Sequence, residues 1–199
     1  MKKIISILLI ISMLLLFSGC GRPRLVRGTL EGDVYTNESL GITFTKPATW
    51  VYYTDEEIAE AMEIGVEVFA SDDLEAALEI YVSIHDMMVA DVLKGNNISV
   101  GYENLTDTYY AIADEERYVE LIKSQYAEGV GGLTFTFGDE LKKVTLGNTE
   151  FTRTVCHAFA YGVTLTQAYY LHKNGPYMAY IIVTVVDGYT LEEVEAMFS

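Results

Sequence analysis

The sequence predicts an α+β domain in which an antiparallel β-sheet is flanked by helices. Period-two apolar segments separated by turn residues fill the C-terminal half, and helical stripes begin at capping residues elsewhere. Fifteen tyrosines within a half-apolar composition favour pleated sheet and exclude disorder. A helix with one apolar stripe must bury it, and the sheet is the available partner.

The chain opens with Lys2-Lys3, an apolar run over residues 4–17, and Leu16-Phe17-Ser18-Gly19-Cys20. A basic start, a short apolar stretch and small residues before a cysteine are the parts of a cleavable lipoprotein signal. Residues 1–19 therefore read as the signal peptide and Cys20 as the acylated residue. The run is too short for a transmembrane helix, which needs about 20 apolar residues. The expected location is the extracytoplasmic face of the cell membrane, with the lipid anchor as the membrane contact.

Charge is uneven beyond that point. Arg22, Arg24 and Arg27 follow Cys20, whereas the first acidic residue is Glu31. Setting aside Lys2, Lys3 and these arginines leaves 8 of the 13 basic residues against all 29 acidic ones, a net charge of −21. Residues 20–28 read as a basic tether near the membrane, and residues 29–199 as a single acidic domain. Such a domain is repelled by nucleic acid. Cys156 has no intramolecular partner once Cys20 is acylated, and its apolar surroundings read as packing.

The elements follow in order. Residues 41–45 alternate as a strand with Ile42 and Phe44 inward, and residues 48–50 turn a corner at Trp50. Thr54 and Glu57 form a capping box for a helix over residues 55–69. Ser71, Asp72 and Asp73 can cap a second, ending near Ile80. Over residues 80–92 the even positions are apolar, with Asp86 the exception. Turn residues 94–97 then lead to Ile98, Val100 and Tyr102, completing a hairpin. A third helix spans residues 114–128, with Tyr118, Leu121, Ile122 and Gln125 on one face. Strands over residues 140–146, 149–161, 163–172 and 177–186 form a meander, and Thr190 with Glu193 caps a final helix.

Catalytic chemistry finds little support. The acidic clusters at residues 55–57, 72–73 and 114–116 each start a helix, where negative charge suits the dipole, and none has the spacing of a calcium loop. His85, His157 and His172 lack zinc-helix spacing, and His85 and Asp86 point to opposite faces of a strand. A turn at residues 162–163 would place His157 opposite Ala168 and His172 opposite Arg153. No nucleophile elbow or phosphate loop is present. The reading is no enzyme, no cofactor and no metal. Tyr169 and Tyr180, flanking the Asn174-Gly175 turn and paired across it, are the ligand-binding candidates, with sheet packing as the competing role.

Residues 35–50, from Tyr35 through Lys46-Pro47 to Trp50, and residues 53–58 resemble the start of PsbP-like domains, in which an extended segment ends in a proline and a tryptophan before a helix. Lipoproteins of this size and mostly unassigned function occur in Gram-positive gut bacteria. The resemblance runs in element order over residues 30–199, and implies a non-enzymatic scaffold for protein or small-ligand binding. The expected function is thus a surface lipoprotein with a binding or accessory domain. An envelope glycan or small ligand held by a tyrosine-rich sheet face comes second, an envelope protein being the other class of partner. A hydrolase ranks last.

Overall fold

A computed structural model describes residues 24–70, 72–106, 111–129, 132–160 and 162–199. The leader, Cys20 and Arg22 lie outside them. The architecture is α+β, with antiparallel sheets flanked by helices. Strands β1 (Thr29–Glu31), β2 (Val34–Asn37) and β3 (Ile42–Thr45) form a small sheet. The large sheet runs β4-β5-β6-β11-β10-β9-β7, with β8 also paired to β9. Its members are β4 (Val51–Tyr52), β5 (Ser83–Ala90), β6 (Asn97–Asn104), β7 (Thr134–Phe137), β8 (Lys142–Leu146), β9 (Thr149–Ala160), β10 (Val163–Asn174) and β11 (Tyr177–Val185). No helix among the described residues is long and apolar enough to cross a membrane.

The helices begin where the capping residues place them. Helix α1 (Asp55–Met62) starts at the Thr54/Glu57 box, α2 (Leu74–Ile80) at Asp73, α3 (Glu115–Tyr126) at Asp114, and α4 (Leu191–Glu195) at the Thr190/Glu193 box. The first helix is shorter than expected. Glu63 closes it in the left-handed region at φ 56°, Gly65 follows, and residues Val66–Ala70 continue as a 3-10 helix. Glycine disfavours helical backbone, so the helix ends here; beyond the break Phe69 is buried, while Val66 of the expected stripe is exposed.

Two cores lie on opposite faces of the large sheet. One packs Ile84, Val100, Tyr170 and Ile181 against α1, α2, α4 and the small sheet, with Trp50 buried at 1% exposure and its indole edge-on to Tyr189 at 5.6 Å. The other packs Tyr169, Leu171, Met178 and Tyr180 against Tyr118, Val119 and Ile122 of α3. Cys156 is buried there, and desolvation pushes its thiol up to about 11, as suits a packing residue.

Strand β5 departs from simple alternation. Its register with β6 shifts between His85 and Met87, so Ile84 and Asp86 point to the first core, and after the bulge Met87 and Val89 do. Even-numbered Met88 is therefore only half-buried, and Ile80, Val82 and Val92 beyond the strand are exposed.

The basic tether is also corrected at its C-terminal part. Leu25 is buried, Arg24 pairs with Asp73, and Arg27 is held by Asp55 and Asp86. Residues 24–28 thus belong to the folded body, because Leu25 packs in the first core and two carboxylates, Asp55 and the buried Asp86, hold the Arg27 guanidinium.

Candidate functional site

The bulge of β5 sorts two chemistries onto two faces. Asp86, 4% exposed, accepts from Arg27 Nε at 3.2 Å, Gly28 N at 2.8 Å, the Tyr35 hydroxyl at 2.5 Å and Asn37 Nδ2 at 3.0 Å. Arg27 also donates to both Asp55 oxygens, at 2.8 and 3.1 Å, and stacks over Phe69 with 4.5 Å between its guanidinium carbon and the ring centroid. Gly28 is required here, since a Cβ would lie 2.2 Å from the Tyr35 ring. This network joins the segment at residues 27–28, the small sheet, α1 and β5. Every group in it faces a partner, and a saturated buried carboxylate has no capacity left for a ligand.

The other face is different. Between α3 and the sheet lies a cavity of about 200 Å³. Its wall includes Ser83, His85, Glu103, Tyr118, Tyr126, Tyr169 and Tyr180. Cross-strand pairing lines these up: Ser83 opposes Glu103, which opposes Met178, and His85 opposes Gly101, which opposes Tyr180. Gly101 carries this arrangement. A Cβ there would sit 2.5 Å from the Ile84 carbonyl and 2.5 Å from the Tyr180 hydroxyl, so only glycine lets the tyrosine lie across the strand.

The hydroxyls are positioned by neighbours. Tyr180 Oη lies 3.0 Å from Ser83 Oγ and 3.2 Å from His85 Nδ1, and the Tyr180 and His85 rings meet edge to face at 5.6 Å. Tyr118 donates a short bond to Glu103 Oε2, and Tyr169 donates to Gln167 Oε1 at 2.6 Å. Burial raises the hydroxyl pKa of Tyr118, Tyr169 and Tyr180, so all three stay protonated donors. Burial also pushes the His85 imidazole below its ordinary 6.5, which keeps it neutral at pH 7. Tyr126 completes the wall, 4.6 Å from Phe135 and 6.5 Å from Tyr169 between centroids. Half-buried Ser83, His85, Glu103 and Tyr126 admit solvent to the rim.

Tyr169 and Tyr180 therefore meet in one site, though not as a cross-strand pair on an open face. Tyr169 opposes Ile182 and Tyr180 opposes Leu171, and the two are 4% and 7% exposed beneath α3. The turn explains the register. Pro176 has no N–H for the ladder bond that an Asn174-Gly175 loop would demand of it, so Gly175-Pro176 form the loop and Asn174 pairs with Tyr177. A similar two-residue shift separates the histidines from their expected partners. Ala160 pairs with Val163, Gly162 takes φ +82°, and His157 opposes Thr166. His172 lies outside the cavity, its Nδ1 3.1 Å from the Glu150 carbonyl oxygen.

No family model matches the chain, and no curated protein does. Solved structures do resemble it. One is the solution structure of cyanobacterial PsbP (CyanoP) from Synechocystis sp. PCC 6803, at TM-score 0.47 and 9% identity over 86% of this chain and 88% of that one. A second, a crystal structure from Bacteroides thetaiotaomicron VPI-5482, has TM-score 0.44 and 11% identity, and 87% of this chain spans 48% of it.

The site residues that the sequence pattern did not single out are Glu103, Ser83, Gly101 and Tyr126. Ser99, Gly101 and Glu103 occupy the polar phase of β6, which alone reads as a solvent-facing strand edge. Helix α3 covers that phase, and its Tyr118 stripe was the available hint. Among the described residues no cluster of His, Cys, Asp and Glu has metal-holding geometry.

Proposed function

We propose that this chain is a lipid-anchored, extracytoplasmic protein whose domain binds without catalysing, and that the cavity beneath α3 is its ligand site. The observation that carries the binding role is the contrast within the interior: the Asp86 network is saturated, while the cavity holds tyrosine hydroxyls and a carboxylate with open acceptor positions. A cavity of about 200 Å³ suits a small ligand, below the roughly 300–1,000 Å³ that drug-sized pockets occupy. Tyrosines this buried do not offer the flat open platform on which a sugar ring stacks, so a compact ligand fits better than a glycan.

The anchor reading rests on the sequence at residues 1–20, and the docking of residues 24–28 adds a geometric consequence. From Cys20 to buried Leu25 an extended chain covers roughly 17 Å at most, at about 3.4 Å per residue. An acylated Cys20 would hold the α2 end of the domain against the bilayer. Palmitate should label the wild type and not Cys20→Ser. Thermal unfolding of the purified chain against a panel of small metabolites should reveal a saturable upward shift that Tyr169→Ala removes. A panel without any such shift, together with a single stoichiometric protein crosslinked on intact cells, would replace the ligand site with an accessory role.

A further inference from the structure

Among the described residues lining the cavity Glu103 is the one acidic residue, and neither lysine nor arginine lines it; the imidazole of His85, on the same wall, is disfavoured as a cation by burial. Its partner is a neutral hydroxyl, that of Tyr118, which occupies one of its two oxygens. A carboxylate offers about four acceptor positions, so most of its capacity is left over by this one donor, on a residue that lines the cavity. None of the ion pairs among the described residues reaches it. Lys173, in the same cross-strand row, sends its ammonium to the Ala111 carbonyl at 3.3 Å. On α3, Lys123 pairs with Glu120, and Arg117 is exposed.

Around this carboxylate stand Tyr118, Tyr126, Tyr169 and Tyr180. An aromatic face attracts a cation through its quadrupole, most strongly where water is excluded, and several rings together form the cage that recognises alkylated ammonium groups. We propose that the cavity binds a small organic cation of the alkylammonium class, its charge set against Glu103 and its alkyl groups against the tyrosine rings. The proposal rests on the cavity being the ligand site. An anion would meet uncompensated negative charge. A neutral ligand of equal shape would forgo both the ion pair and the ring attraction. A bare metal ion would lack the converging oxygens that it needs, since the wall supplies one carboxylate.

The test uses choline and its uncharged isostere 3,3-dimethylbutan-1-ol, titrated calorimetrically into the full chain and into Glu103→Gln and Tyr169→Leu. Choline should bind saturably, with the isostere at least tenfold weaker, and each substitution should weaken choline at least tenfold. Glu103→Gln keeps an acceptor for Tyr118, and circular dichroism checks that it is folded. Equal binding of choline and the isostere would overturn the cation assignment while leaving a ligand site in place. Choline binding unchanged in Glu103→Gln would overturn the role of the carboxylate. Failure of choline to bind at millimolar concentration would overturn the inference, and the metabolite panel decides separately whether the cavity binds anything else.

Discussion

Asp86 and Glu103 are acidic residues on adjacent strands, β5 and β6, yet they live in opposite electrostatic situations. Asp86 faces the first core with four donors, one of them the guanidinium of Arg27, and it ties the N-terminal segment to the sheet. Glu103 faces α3 with one tyrosine hydroxyl and a cavity. Burial of a charge is costly unless it is paired, so the first arrangement is a joint of the fold. The second tolerates its charge because solvent still reaches it, and what solvent can reach a ligand can replace. The two carboxylates differ in saturation as well as in burial: Asp86 has its acceptor positions filled by protein donors, and Glu103 has one such donor.

The comparison is most easily broken at Asp86. Asp86→Ala leaves Arg27, Tyr35 and Asn37 facing a hole, and removing one partner of a buried pair costs about 3–5 kcal/mol. Urea unfolding should show that loss as a lower midpoint. Asp55 remains to hold Arg27, which places the cost toward the lower end of the range. A loss under about 1 kcal/mol would mean that the network is decoration on a core that stands without it.

Gly101→Ala comes next. The new methyl meets a backbone carbonyl that cannot move without disturbing β5, and it meets the Tyr180 ring. Overpacking of this kind costs about 1–3 kcal/mol. Stability and ligand binding should fall together, because the same displacement that strains the strand pushes Tyr180 into the cavity. Unfolding curves and choline titrations on one preparation would read both.

Much of this was legible in the sequence where the signal is local. The caps at Thr54, Asp73 and Thr190 each depend on a few neighbouring residues, and each starts a helix; Asp114, expected inside the first turn, is instead the N-cap of α3. The meander strands follow from alternation and turns. Register was less legible, since a two-residue shift preserves which face a side chain takes and changes only its opposite number. That is why Tyr169 and Tyr180 share a face without pairing. The strands β1 and β2 lacked a periodic signal long enough to separate them from extended loop, whereas β7 carries one, since Phe135 and Phe137 alternate with threonines as Ile42 and Phe44 do in β3. Asp86 was visible as the break in an apolar phase, but its partners lie up to 59 residues away, and only the fold assembles them. Glu103 gave no local sign, because a polar strand phase reads alike beneath water and beneath a helix.

The His85 contribution is smaller and has a definite sign. Burial places its folded pKa below the ordinary 6.5, so the unfolded chain binds more protons as pH falls through that value. The contribution is intact above pH 6.5 and is lost progressively on acidification. His85→Asn should therefore flatten the fall in stability between pH 7 and pH 5, measured by urea unfolding at each pH. An unaltered slope would show that the imidazole is solvated enough to titrate freely, and that the rim near Tyr180 is more open than its contacts indicate.

The smallest effect on stability belongs to Glu103→Gln, and smallness is what gives it force. The amide oxygen can still accept from Tyr118, no cation is left unpaired, and no volume is removed. Stability should change by about 0.5 kcal/mol or less, as for substitutions outside the packed interior. If Glu103 held the fold as Asp86 does, the change would approach that of Asp86→Ala. A neutral effect on unfolding combined with a tenfold loss of choline affinity would assign the two carboxylates to different work, one to assembling the domain and one to what the domain binds. A near-neutral change without that loss would leave Glu103 as a solvated acid at the edge of a packing defect.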